Sequence, residues 1–108
     1  MRVELLYVEG DPASMAARQN LVEVLTEDAF ETPIQMIVVH GDEDAALLDF
    51  RGSPTIRIDG VDIDPEPAAP VGLQARSYRG PDGPSPVPDK QLIRRAVERA
   101  RGWSHGRR

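Results

Sequence analysis

Hydrophobic positions along the chain fall into segments of different period, and the periods predict the elements. Val3 to Val8 is apolar on both faces apart from Glu4, the pattern of a central strand covered on two sides. From Ala13 to Ala29 apolar residues fall at Met15, Leu21, Val22, Leu25 and Ala29, a helical spacing that predicts one buried stripe. Asp11-Pro12 opens that helix by two separate signals: aspartate is a strong N-cap, and proline is favoured at the first helical position. Ile34 to Val39 is a second near-continuous apolar run rich in β-branched residues. Strand, helix and strand with short links predict a right-handed βαβ unit with parallel strands.

The second half is more broken. Asp42-Glu43-Asp44 places acids at the start of a short helix, where they suit its dipole. Leu47, Leu48 and Phe50 supply its apolar side, and Gly52 is the expected stop. Thr55-Ile56-Arg57-Ile58 alternates, Asp59-Gly60 is a strong two-residue hairpin signal, and Val61 to Ile63 is the return strand. Residues 64–88 hold seven of the ten prolines, which predicts a long loop with a short extended piece from Leu73 to Tyr78. Leu92, Ile93, Ala96, Val97 and Ala100 then mark a final amphipathic helix ended by Gly102. The expected organisation is one domain over residues 1–102 and a flexible basic tail over 103–108. There is no internal repeat.

Composition narrows the chemistry. With no cysteine, disulfides, thiolate catalysis and cysteine metal sites are all excluded. The chain is 40% hydrophobic, enough for a modest core that must offset roughly 1–2 kcal/mol of backbone entropy per residue without a covalent staple. The first residues contain no leader-like apolar segment and no run approaches a membrane span, so a soluble cytoplasmic protein without membrane partners is expected. The net charge of −5 divides into +5 over residues 94–108 and −10 over the rest. Arginines in the last helical turns complement the helix dipole, and the acidic body repels phosphate, so no nucleic-acid partner is expected.

The order β-α-β-α-β-β-α, with Gly52-Ser53-Pro54-Thr55 before the hairpin, resembles a thioredoxin or glutaredoxin fold. In that fold Asp11 and Ser14 stand where the cysteines of a Cys-x-x-Cys motif would be, and Pro54 stands where a cis proline faces the helix. The chain is more closely similar to a family of small bacterial thioredoxin-like proteins, some of them labelled alkylmercury-lyase-like. The shared pattern is Glu9-Gly10-Asp11-Pro12, Gly52-Ser53-Pro54-Thr55-Ile56, Asp59-Gly60 and Gly72-Leu73-Gln74-Ala75-Arg76-Ser77-Tyr78, over roughly residues 3–100. Asp11 and Ala75 occupy the positions of that family's cysteines, so its thiol activity does not carry over. The resemblance implies an α/β domain with a four-stranded mixed sheet and flanking helices. It also implies a groove gathering Asp11, Pro12, Ser14, Ser53, Pro54 and Thr55, with Arg76 and Tyr78 on the matching segment.

Within that groove Asp11 reads as a helix cap or as a general base, and a cap whose oxygens already accept hydrogen bonds is a poor base. Ser14 reads as a residue that helps satisfy first-turn amides, or as a nucleophile needing His40 or His105. Arg76 either holds an anionic ligand or pairs with Asp11 or another carboxylate of the body. No cofactor, phosphate loop or metal site is expected. Asp59, Asp62 and Asp64 lack the spacing of a calcium loop, and two distant histidines make no cluster. The expected function is a redox-inactive module that binds a protein or small molecule. The alternatives are a non-thiol enzyme using Asp11 with Ser14 or Arg76, and a structural homodimer joined at a sheet edge.

Overall fold

A computed structural model describes residues 1–27, 31–65 and 69–105, with side chains described as far as residue 102. Strand β1 (Val3–Tyr7) leads through a turn into helix α1 (Pro12–Glu27), then strand β2 (Ile34–Val38) and helix α2 (Asp42–Leu48). Strands β3 (Arg51–Ser53), β4 (Thr55–Ile58) and β5 (Val61–Asp62) follow. Three more short strands, β6 (Gly72–Ala75), β7 (Tyr78–Gly80) and β8 (Gly83–Ser85), precede helix α3 (Lys90–His105). The main sheet is four-stranded and mixed, in the order β2-β1-β4-β5, with β1 parallel to β2 and antiparallel to β4.

The alternation of β1 divides the core into two layers. Val3 and Leu5 face α1 and α3, where they pack with Leu21, Val24, Ile93 and Val97. Leu6 faces the other way and packs with Val39, Ala45 and Phe50 beneath α2. Burial on both faces is what a central strand with a near-continuous apolar sequence requires. At the β4–β5 turn Asp59 and Gly60 both take positive φ (53° and 83°), the geometry of a type I′ hairpin that favours these two residues. Asp59 Oδ1 also accepts a hydrogen bond from the Arg2 amide at 2.7 Å, tying the turn to the start of β1.

Several expectations need correction. Met15 is 62% exposed and Leu47 84% exposed; the buried stripe of α1 runs through Ala13, Ala17, Leu21, Val24 and Leu25 instead. Small residues let the first turns of α1 approach the sheet, and large ones there are pushed outward. The expected Ala29 lies outside the described residues. β2 is an edge strand, so Gln35 and Met36 are exposed although the run looks continuous. Helix α2 ends at Asp49, not Gly52: Asp49 adopts the left-handed conformation (φ 51°), and the Phe50 amide donates to the Ala45 carbonyl at 2.8 Å. Gly102 does not stop α3, which continues to His105; a helical glycine costs only about 0.5–1 kcal/mol relative to alanine. Residues 103–105 are therefore helical, and 106–108 lie outside the described residues.

The largest correction is the proline-rich stretch. The extended piece expected from Leu73 to Tyr78 overlaps β6, which pairs in parallel with β3, but the stretch holds more strand than that: β7 and β8 form a hairpin. Two of its prolines sit at the β7–β8 turn (Pro81) and on that two-stranded ribbon (Pro84), where a missing N–H is tolerated. Among the described residues no helix is long and apolar enough to cross a membrane.

Candidate functional site

The turn from β1 to α1 faces the turn from β3 to β4. Asp11 precedes the first helical residue, Pro12, and its Oδ1 accepts a hydrogen bond from the Ala13 amide at 3.0 Å. That is the geometry of an N-cap. Its Oδ2 accepts a hydrogen bond from the Ser53 hydroxyl at 2.7 Å, and the same hydroxyl accepts one from the Val8 amide at 3.0 Å. One carboxylate thus caps the helix and fastens it to the β3–β4 turn through a chain of three polar groups. The Ser53–Pro54 peptide bond is cis.

Behind this turn lies a second, buried polar cluster. The Tyr78 hydroxyl donates to the Pro54 carbonyl at 2.5 Å. Thr55 Oγ1 donates to the Gly52 carbonyl at 2.7 Å and accepts from Arg76 Nη1 at 3.2 Å. Arg76 Nη1 also pairs with Asp62 Oδ2 at 2.6 Å, and Nη2 donates to the Asp64 carbonyl at 2.6 Å. The Arg76 amide donates to the Ser53 carbonyl at 3.0 Å. Its guanidinium lies 4.6 Å from the centre of the Tyr78 ring, within cation–π range. The Arg76 side chain is 3% exposed and that of Asp62 23%, so the arginine is enclosed while its partner still reaches water. Burial pushes the Tyr78 phenol well above its ordinary range, and the charge of Arg76 opposes that rise only in part. Gly52 makes room for this cluster: its φ is +120°, and a Cβ there would stand 2.6 Å from Arg76 Cγ.

Of the two readings open for Arg76, pairing with a carboxylate of the body is the one observed, and the carboxylate is Asp62 rather than Asp11. An Asp11–Arg76 tie is not formed. Ser14 is buried, and its hydroxyl makes no hydrogen bond among the described residues. The first-turn amide that Ser14 was expected to serve is taken by Asp11, and among the described residues no histidine engages the hydroxyl. His40 is exposed, with its amide donated to Asp44 Oδ2. The His105 side chain lies outside the description. Among the described residues, no three His, Asp or Glu side chains group as metal ligands.

An open groove of about 330 Å³ lies against the Asp11–Ser53 tie, bounded by the turn from Val8 to Asp11, by Ser53, and by Leu73 and Ala75 of β6. Of the sequence-derived site residues, Asp11 and Ser53 line it. Pro12 is exposed on the first turn of α1, while Ser14, Pro54, Thr55, Arg76 and Tyr78 are buried and form no part of its wall. Leu73 was not singled out as a site residue, and Ala75 only as a cysteine position of the resembling family. Their signal is the segment Gly72 to Ala75, whose parallel pairing with β3 carries it to the β3–β4 turn. No protein-family model matches the chain, and neither does any curated protein or solved structure.

Proposed function

We propose that this chain is a thioredoxin-like domain without redox chemistry, working as a binding module through the groove beside Ser53 and Pro54. The observation that carries the proposal is that Asp11 and Ala75, distant in sequence, line one groove. These are the two positions at which the resembling family carries cysteines. The sheet order β2-β1-β4-β5, with a helix directly after the first strand, also supports a thioredoxin-like arrangement. Without a thiol the groove retains shape and polarity but no electron-transfer group. The enzyme alternative gains less support, because both carboxylate oxygens of Asp11 already accept hydrogen bonds.

The test is a thermal-shift screen of small molecules and short peptides, with hits mapped by amide NMR. Hits should perturb Gly10, Asp11, Ser53 and Leu73, and Ala75→Trp should abolish their binding by filling the groove. Ala75 is exposed, so the substitution should leave the fold intact. Hits that map elsewhere, or that bind the Ala75→Trp protein unchanged, overturn the proposal.

The homodimer alternative rests on a different observation. Edge strand β2 carries no charged residue and exposes Met36, whereas edge strands usually hold a charge or proline that discourages pairing. A monomeric mass by light scattering, unchanged over a wide concentration range, removes that reading.

A further inference from the structure

The chain carries more acid than base, and most of its described arginines reach an acceptor. Arg76 and Arg94 pair with carboxylates, and Arg57 and Arg99 reach backbone carbonyls. Arg79 and Arg95 differ. Neither makes a hydrogen bond or ion pair among the described residues, yet both line one polar cavity of about 390 Å³. The cavity lies between the β7–β8 hairpin and the first turns of α3. Arg79 faces away from the core because its strand neighbour Tyr78 faces in.

Two aspartates share the cavity, and they are not equivalent. Asp89 Oδ1 accepts a hydrogen bond from the Leu92 amide at 2.8 Å, so it serves as the cap of α3. The Asp64 carboxylate makes no hydrogen bond or ion pair among the described residues, although its backbone is held at both ends. Its carbonyl accepts from Arg76 Nη2 at 2.6 Å, and its amide donates to Asp62 Oδ1 at 2.9 Å. The cavity therefore holds charges of both signs that form no ion pair with one another among the described residues. A plain anion would satisfy the arginines but meet Asp64, and a plain cation would meet the arginines. A molecule carrying both charges fits all three groups.

We infer that this cavity is a binding site for a small zwitterion of the α-amino-acid type. Its carboxylate lies on the guanidinium forks of Arg79 and Arg95, which suit a planar two-oxygen acceptor. Its ammonium lies toward Asp64. The volume falls in the range of small-molecule sites, roughly 300–1,000 Å³. The site shares no residue with the groove at Asp11, so it stands or falls independently of that one.

The test titrates the labelled full chain with a panel of α-amino acids, glycine being the smallest, and with acetate, inorganic phosphate and ethylammonium. The readout is the amide signals of Asp64 and Gly80 and the side-chain Nε–H signals of Arg79 and Arg95. At least one amino acid should give saturable shifts there, with acetate, phosphate and ethylammonium weaker by about tenfold or more, some 1.4 kcal/mol. Arg79→Ala and Arg95→Ala should each weaken amino-acid binding by about tenfold, and Asp64→Asn should do so without weakening acetate. Both arginines are exposed, so unchanged signals elsewhere will show that the variants are folded. No saturable shift from any amino acid overturns the inference. Equal affinity for acetate or phosphate overturns it in favour of a plain anion site, and full binding by Arg95→Ala overturns it as well.

Discussion

Two polar ties hold the turn around Pro54, one from each side, and they differ in how much of the fold depends on them. The Asp11–Ser53 tie lies at an open groove and uses a residue whose cap role is local. The Arg76 cluster is enclosed and joins the β3–β4 turn, the end of the β4–β5 hairpin and the proline-rich stretch through one guanidinium. A tie at the surface can be loosened because water replaces the lost partner. A buried tie cannot, because each group left behind keeps its desolvation cost.

The largest effect should come from Arg76→Ala. It removes the charge facing Asp62 together with the donors to Thr55 and Asp64, and each enclosed acceptor left without its donor costs about 1–3 kcal/mol. Denaturant unfolding checks this, and a loss below about 1 kcal/mol, the level of an exposed pair, would erase the distinction between the two ties.

Tyr78→Phe comes next. It strands the buried Pro54 carbonyl, a cost of about 1–3 kcal/mol, and it has a pH signature. The folded state raises the Tyr78 pKa, so its neutral phenol contributes stability that is fully present below the ordinary tyrosine value. That contribution is lost as pH rises toward the folded value. Wild type should therefore lose stability on the alkaline side, and Tyr78→Phe should flatten that limb. Parallel alkaline curves for the two proteins would argue against a buried phenol.

Asp11→Ala should cost about 0.5–2 kcal/mol by loss of the cap, whereas Asp11→Asn, which also caps, should cost less. Equal melting temperatures of wild type and Asp11→Ala would show that the cap contributes nothing. The smallest effect belongs to the exposed pair of Glu23 and Lys90. The ammonium of Lys90 lowers the Glu23 pKa, so whatever the pair contributes is present above the ordinary carboxylate range and lost as pH falls through the lowered value. Glu23→Gln should differ barely from wild type at neutral pH, and any difference should vanish in acid; a difference that grows in acid would reverse the sign.

How much of this was legible in the sequence follows from the range of the forces involved. Asp11 as a cap and Asp59-Gly60 as a turn depend on a few adjacent residues, and those readings match the observed hydrogen bonds and dihedrals. The apolar run of β1 and the stripe of α3 report burial, which periodicity encodes directly. Where composition carried the reading it was only partly right: between residues 64 and 88 the extended piece expected from Leu73 to Tyr78 overlaps β6, but its pairing with β3 and the β7–β8 ribbon that accommodates Pro84 were not foreseen.

The sequence by itself determined the α/β character, the capped helix after the first strand, and the absence of thiol chemistry, because each follows from local stereochemistry or from residue type. Only the tertiary structure decided that Arg76 pairs with Asp62 rather than Asp11, that Met15 and Leu47 face outward, and that Ala75 meets Asp11 at one groove. These depend on which distant segments pack together. A charged or apolar side chain takes the partner that the assembled backbone brings within reach, and no pattern within one segment records that choice.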